Sequence, residues 1–174
     1  VLDLKDYIQV KEGMTFDGWY TDPECRNKAA GQIEMTSDLT LYAGWRIQDA
    51  VLTFVTRGGP GINPAVFHFG STVHPEEFVP PREGYTFTGW FTDPGCTRKA
   101  DSQITLKADQ TLYAGWQIQN RSLKFMTNGG SAVKPIKADY GTTVNLDLYT
   151  PTKPGWEFTG WYTDPECTTY AGSL

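Results

Sequence analysis

The sequence predicts an α+β fold that is mostly β, built as tandem modules of about four strands each with a short helical crossover. Three observations predict it. A long motif returns without gaps at a fixed interval. Short runs of β-forming residues are set apart by turn chemistry. Proline is placed so that any helix between them must be short.

The repeat comes first because it divides the chain. Gly13 to Cys25, Gly84 to Cys96 and Gly155 to Cys167 align residue for residue, each reading Gly, a variable residue, Thr or Glu, Phe, Asp or Thr, then Gly-Trp-aromatic-Thr-Asp-Pro and one further residue before the Cys. The cysteines at 25, 96 and 167 give a period of 71 residues. Thr40 to Trp45 (Thr-Leu-Tyr-Ala-Gly-Trp) returns unchanged as Thr111 to Trp116, and Leu52, Phe54, Gly58 and Gly59 return as Leu123, Phe125, Gly129 and Gly130. A solenoid unit is usually about 20 to 50 residues long, whereas about 65 to 70 residues can fold alone, so independent beads are expected. The expected units are residues 1–45, a partial first repeat without its opening strands, 51–116, a complete second repeat, and 122–174, a partial third repeat without its closing strand.

Within the complete repeat, Leu52 to Thr56 is rich in β-formers and is closed by Arg57 to Gly61, which reads as a strand and a turn with positive φ at Gly58 and Gly59. Ile62 to Val73 reads as the returning strand. His74 to Gly84 contains Pro75, Pro80 and Pro81, so a crossover of one or two helical turns must end before Val79. Tyr85 to Thr92 alternates as a strand, Asp93-Pro94 opens a turn, and Thr111 to Trp116 closes the module. Leu52, Phe54, Phe87, Leu112 and Trp116 are the expected core.

The paired motifs Gly84 to Cys96 and Thr111 to Trp116 resemble the Listeria-Bacteroides repeat, the B-repeat type of internalins, and the resemblance covers all three units. It implies β-grasp, ubiquitin-like modules strung in tandem on bacterial cell-surface or secreted proteins. It implies no catalytic residues. Met14 and Trp156 stand where the family has Tyr, and Pro154 replaces an acidic residue.

Composition excludes several functions. The 39% apolar content, with six Trp, nine Tyr and nine Phe, supplies packed cores and argues against disorder. A net charge of -5 leaves no basic stripe, so no nucleic-acid partner is expected. No run of about eighteen apolar residues is present, so no membrane insertion is expected in this segment. A first residue Val1 and no leader pattern read as a piece of a longer protein, and the resemblance implies that this protein is extracellular.

Recurrence filters the residues that could carry chemistry. Asp22, Asp93 and Asp164 recur, but calcium takes six to eight oxygens and no second acidic position recurs beside them, so an Asx-turn before proline is expected. One Cys per unit excludes a disulfide within a unit, and no neighbouring Cys or His completes a metal set, so three reduced, buried thiols are expected. His68 and His74 are replaced by Asp139 and Asn145 in the third unit. No catalytic, cofactor or metal residue is expected.

Gly18, Gly89 and Gly160 lie inside a strand pattern and suggest a bulge or the close approach of a ring. Strict alternation places Phe87, Gly89 and Phe91 on one face and Thr86, Thr88 and Trp90 on the other. Trp90, with Trp19 and Trp161, either turns into the core through that bulge or lies on the open face as a platform for a sugar ring.

Three readings of function follow. A stalk that projects another domain leads, a module binding a glycan or a host protein comes second, and an enzyme is least supported. The linkers Arg46 to Ala50 and Gln117 to Arg121 lack Gly, Ser and Pro, so a stiff array whose partners are its own neighbouring repeats is expected. The partial end units also raise head-to-tail self-association, in which Ser122 to Gly141 of one molecule completes the first repeat of another.

Overall fold

The strand Asp49–Val55 forms because Leu52 and Phe54 alternate with residues that face outward, and the chain then reverses over residues 56–59. The Gly59 N–H donates to the Thr56 carbonyl at 3.3 Å and the Thr56 hydroxyl donates to the Gly59 carbonyl at 2.8 Å. The positive φ values fall on Arg57 (52°) and Gly58 (97°), one residue earlier than the Gly-Gly pair suggested. Asn128 and Gly129 repeat that geometry.

The structure is a computed structural model that describes residues 1–173. Two units are distinguished, one made of Val1–Arg82 with Phe87–Gly115 and the other of Glu83–Thr86 with the chain from Trp116 onward.

The complete repeat carries a mixed four-stranded sheet in the order Ala65–His68, Asp49–Val55, Gln110–Ile118, Tyr85–Phe91. Asp49–Val55 is antiparallel to Ala65–His68, with Leu52 opposite Ala65. It is parallel to Gln110–Ile118, with Leu52 opposite Gln110 and Phe54 opposite Leu112. The Asp109 carboxylate accepts the Val51 N–H at 2.8 Å and so helps to fix that parallel register. The expected single strand from Ile62 to Val73 is two strands. It breaks at Gly70 (φ 81°), and Thr72–Val73 pairs instead with Ile104–Thr105.

Leu52, Leu106 and Leu112 are wholly buried, with Ala50, Phe54, Val73, Trp90 and Ala114 packed around them. Burying one Leu contributes about 1.5–3 kcal/mol, so these three side chains are a large share of the core. Phe87 and Trp116, expected in the core, are half-buried. Phe87 lies on the strand at the edge of the sheet, and Trp116 lies beyond the residues of its strand that pair with Asp49–Val55, which end at Tyr113 opposite Val55.

The helical crossover is smaller than expected. Among the described residues, helix occurs only as three-residue 3-10 turns, at Leu4–Asp6, Pro75–Glu77, Leu146–Leu148 and Ala171–Ser173. Pro75 starts the central turn, and Pro80 and Pro81 stop it from growing. Asp3 and Asn145 cap their turns by accepting the N–H two residues on, each at 3.0 Å.

In the first repeat, Met14–Tyr20 is antiparallel to Tyr42–Ile47, and Leu2–Asp3 pairs with Gln32–Ile33. In the second unit, Asn120–Leu123 is antiparallel to Ile136–Asp139. Residues 156–162, equivalent to Tyr85–Phe91, carry the isolated bridges Lys153–Trp156 and Tyr162–Tyr170. Trp156 is 73% exposed.

Candidate functional site

Trp90 settles which side of the strand the recurring tryptophan takes. It is 3% exposed, and its ring lies 5.0 Å from Phe54 and 5.5 Å from Phe87 between centroids. Gly89 makes this possible. Its φ of 131° is one that residues with a side chain rarely adopt, and the backbone rotation there brings Phe87 and Trp90 onto the same side. In the first repeat the same bulge is visible as a register shift between Phe16 and Gly18, and φ at Gly18 and Gly160 is 130° and 135°. A Lys stem rather than a ring closes over Gly18 and Gly89, from Lys28 and Lys99, whereas Tyr170 covers Gly160.

Each indole N–H is also spent inside its own repeat. Trp19 donates to the Tyr7 carbonyl at 3.0 Å, Trp90 to Phe78 at 3.1 Å and Trp161 to Tyr149 at 2.9 Å. Burial thus corrects the open-face alternative for Trp90. Trp19 and Trp161 are half-buried in the same arrangement. Phe125 packs on Trp161 at 4.7 Å, and Phe16 lies 5.5 Å from Trp19 between ring centroids.

The Asp-Pro-x-Cys segment is a closed turn. The Cys96 N–H donates to the Asp93 carbonyl at 3.0 Å. The Asp93 carboxylate accepts the Thr97 N–H at 3.1 Å and the Arg98 N–H at 2.7 Å, four and five residues on rather than the two of an Asx-turn. Asp22 and Asp164 do the same for Arg26 and Asn27 and for Thr168 and Thr169. These amides hold all three carboxyls below their ordinary range, led by Arg26 for Asp22, Arg98 for Asp93 and Thr168 for Asp164, which lies at about 2. The recurring oxygens are committed to backbone N–H groups of their own turn.

The thiols are unpaired but are not buried as expected. Cys25 and Cys96 are half-buried and Cys167 is exposed. The reason is local. Each Cys takes the left-handed position that ends the turn, with φ of 55°, 52° and 55°, which leaves it on the rim. Cys96 Sγ reaches the Ala114 carbonyl at 3.7 Å and has Arg57 Nη1 at 3.0 Å, whereas Cys167 Sγ lies 3.9 Å from the Pro165 carbonyl of its own turn. The Arg57 guanidinium also donates to the Pro94 carbonyl at 2.6 Å, so it ties the first turn of the module to this one.

Groups that do not recur make local pairs. His68 lies 2.7 Å from Asp49, and His74 lies 3.4 Å from Glu76. Asp17 gathers Arg46 at 2.8 Å, Lys28 at 3.6 Å and the Tyr20 hydroxyl, yet Thr88 and Thr159 occupy its place in the other repeats.

What recurs besides core and turn is the joint between repeats, which sequence reading approached only through linker composition. Tyr42–Ile47 and Asp49–Val55 are separated by Gln48 alone, and Gln110–Ile118 and Asn120–Leu123 by Gln119 alone. The spacing of these glutamines at the period of 71 was the signal that could have found them. Among the described residues, no helix is long and apolar enough to cross a membrane.

The fold and its recurring turn define a small, mostly β repeat module. The sequence profile of the Listeria-Bacteroides repeat domain matches residues 4–44, 51–115 and 122–172, and the chain belongs to that family. Two proteins of Evansella cellulosilytica that carry membrane-protein names, one of them described as Gly-rich, are 37% and 35% identical over 88% of this chain. Internalin H of Listeria monocytogenes is 34% identical over 47% of it. The chain spans 23%, 18% and 15% of these relatives. No solved structure matches.

Proposed function

We propose that this chain is a non-catalytic stalk or spacer segment of an extracellular bacterial protein, cell-surface or secreted, and that its repeats are β-grasp modules. The observation that carries the spacer reading is the one-residue linker. A closing strand runs into the next opening strand with a single intervening glutamine, so successive modules are joined by extended, hydrogen-bonded backbone and not by a flexible tether. The β-grasp reading is supported by a sheet whose first strand is central, antiparallel to the second and parallel to the last. The extracellular reading is supported by internalin H and the membrane-named relatives.

Adhesion through exposed aromatics, with Trp19, Trp90 and Trp161 as the candidate surface, is the competing reading, and the burial of Trp90 weighs against it. Small-angle scattering of the chain tests the spacer. One fixed arrangement of repeats should fit the profile, and a profile that demands freely reorienting repeats rejects it.

A further inference from the structure

We infer that the aromatic residue at positions 69 and 140 is a coupling residue, seated on a left-handed glycine of the preceding repeat and locking the one-residue linker between them. The inference rests on the spacer reading and assigns that stiffness to named side chains.

The linker peptide is bonded on both sides. The Gln48 N–H donates to the Gly13 carbonyl of the first repeat at 2.9 Å, and the Gln48 carbonyl accepts the Phe69 N–H of the second repeat at 2.8 Å. One residue therefore ties the two modules together through its own backbone. Phe69 then lays its ring against Gly13, so closely that a Cβ at Gly13 would fall within the ring. Gly13 is buried and has a φ of 70°. Glycine serves there twice, for the conformation and for the space.

The second unit contains the same three positions in the same roles. Gln119 N–H donates to the Gly84 carbonyl at 2.8 Å, the Gln119 carbonyl accepts the Tyr140 N–H at 2.8 Å, and the Tyr140 ring occupies the space a Cβ at Gly84 would need. Further bonds surround this copy. Gln119 Nε2 donates to the Tyr85 carbonyl at 3.3 Å, Arg121 Nη2 donates to Gln119 Oε1 at 2.7 Å, and the Arg121 guanidinium lies 5.6 Å from the centre of the Tyr140 ring. The acidic residue before the glycine is engaged in both copies. Glu12 pairs with Lys107 at 3.7 Å, and Glu83 accepts the Tyr140 hydroxyl, which raises that phenol above its ordinary value.

Gly155 shows that the seat precedes its occupant. It has the same left-handed φ, 76°, with nothing within 4 Å of where a Cβ would stand. The glycine conformation is thus set within a repeat, and the ring is what a following repeat contributes. The kind of partner this surface fits is an aromatic side chain beside a strand-forming linker.

The test is a distance distribution by pulsed electron resonance on the whole chain, with nitroxides on the native Cys25 and Cys96 and with Cys167→Ser. The wild-type chain should give one narrow distance. Phe69→Ser should broaden it about twofold or more through local opening of the joint, and should speed amide exchange at Gln48 about tenfold while Leu112 stays protected. Phe69→Tyr, which copies Tyr140, should keep the narrow distance, as should Val66→Ser at a neighbouring position that is 65% exposed. A broad wild-type distribution defeats the spacer reading itself. A narrow wild type with an equally narrow Phe69→Ser overturns the coupling role and leaves the spacer standing. Should Phe69→Ser unfold the second repeat, Gly13→Ala blocks the seat from the first, and an unbroadened distance there overturns the inference.

Discussion

The indole N–H of Trp90 donates to the carbonyl oxygen of Phe78 at 3.1 Å, and the two side chains enclose Phe54 from two sides, with ring centroids 5.0 Å and 4.8 Å away. The bond joins the edge strand to the segment that follows the proline-limited turn, and the rings join both to the central strand. It returns 71 residues earlier and later. The tryptophan is thus the piece that closes the open side of the module in the absence of a true helix.

Trp90→Ala should lower the stability of the second repeat by about 3–5 kcal/mol, the range for deleting a buried aromatic side chain. Trp90→Phe should lose less, because it keeps an aromatic ring and gives up the hydrogen bond, itself about 0.5–1.5 kcal/mol. Urea unfolding of both variants checks the order. Equal losses would remove the indole bond from the account.

Gly89→Ala should destabilise by roughly 1–3 kcal/mol, the cost of forcing a non-glycine residue into a sparsely allowed backbone region. The added methyl would also meet the Lys99 stem. Lys99→Ala should relieve only the second effect. If Gly89→Ala with Lys99→Ala melts like wild type, the backbone argument fails.

Acid should loosen the Asp-Pro-x-Cys turns. The folded pKa of Asp22, Asp93 and Asp164 is depressed below the ordinary 3.8, so their stabilisation is full above that value and is lost as pH falls through the folded value, about 2 for Asp164. Carboxyl-carbon NMR titration should place Asp164 well under the exposed acids. Asp164→Asn should show a shallower loss of stability on acidification, and an unchanged slope would contradict this assignment.

Thiol labelling of the native chain should modify Cys167 first, with Cys25 and Cys96 slower, in the order of their exposure. Mass spectrometry of peptides after brief maleimide treatment reads the order directly. Cys96 reacting as fast as Cys167 would show that the Ala114 and Arg57 contacts do not shield it.

Much of the local structure was legible because it is written within a few residues. Asp-Pro followed by Cys carries its own turn, prolines at 75, 80 and 81 cap the length of any helix, and a glycine inside a strand announces a bulge. The core positions Leu52, Phe54 and Leu112 followed from alternation alone. Strict alternation failed at Trp90, because one residue of altered backbone at Gly89 turns the next side chain to the other face. The expected burial of the cysteines failed for a similar reason. A left-handed residue at the end of a turn points along the rim, whatever its hydrophobicity.

By itself the sequence determined the repeat, its period of 71 residues, its turns and its mostly β character, since each depends on neighbours along the chain. Only the tertiary structure decided that Asp49–Val55 lies parallel to Gln110–Ile118, with Val51 bonded to Asp109 across 58 residues, and that Phe69 belongs against Gly13. Such pairings depend on which distant surfaces fit once the local pieces exist. No pattern of apolar positions within one strand specifies the strand or the glycine it will meet.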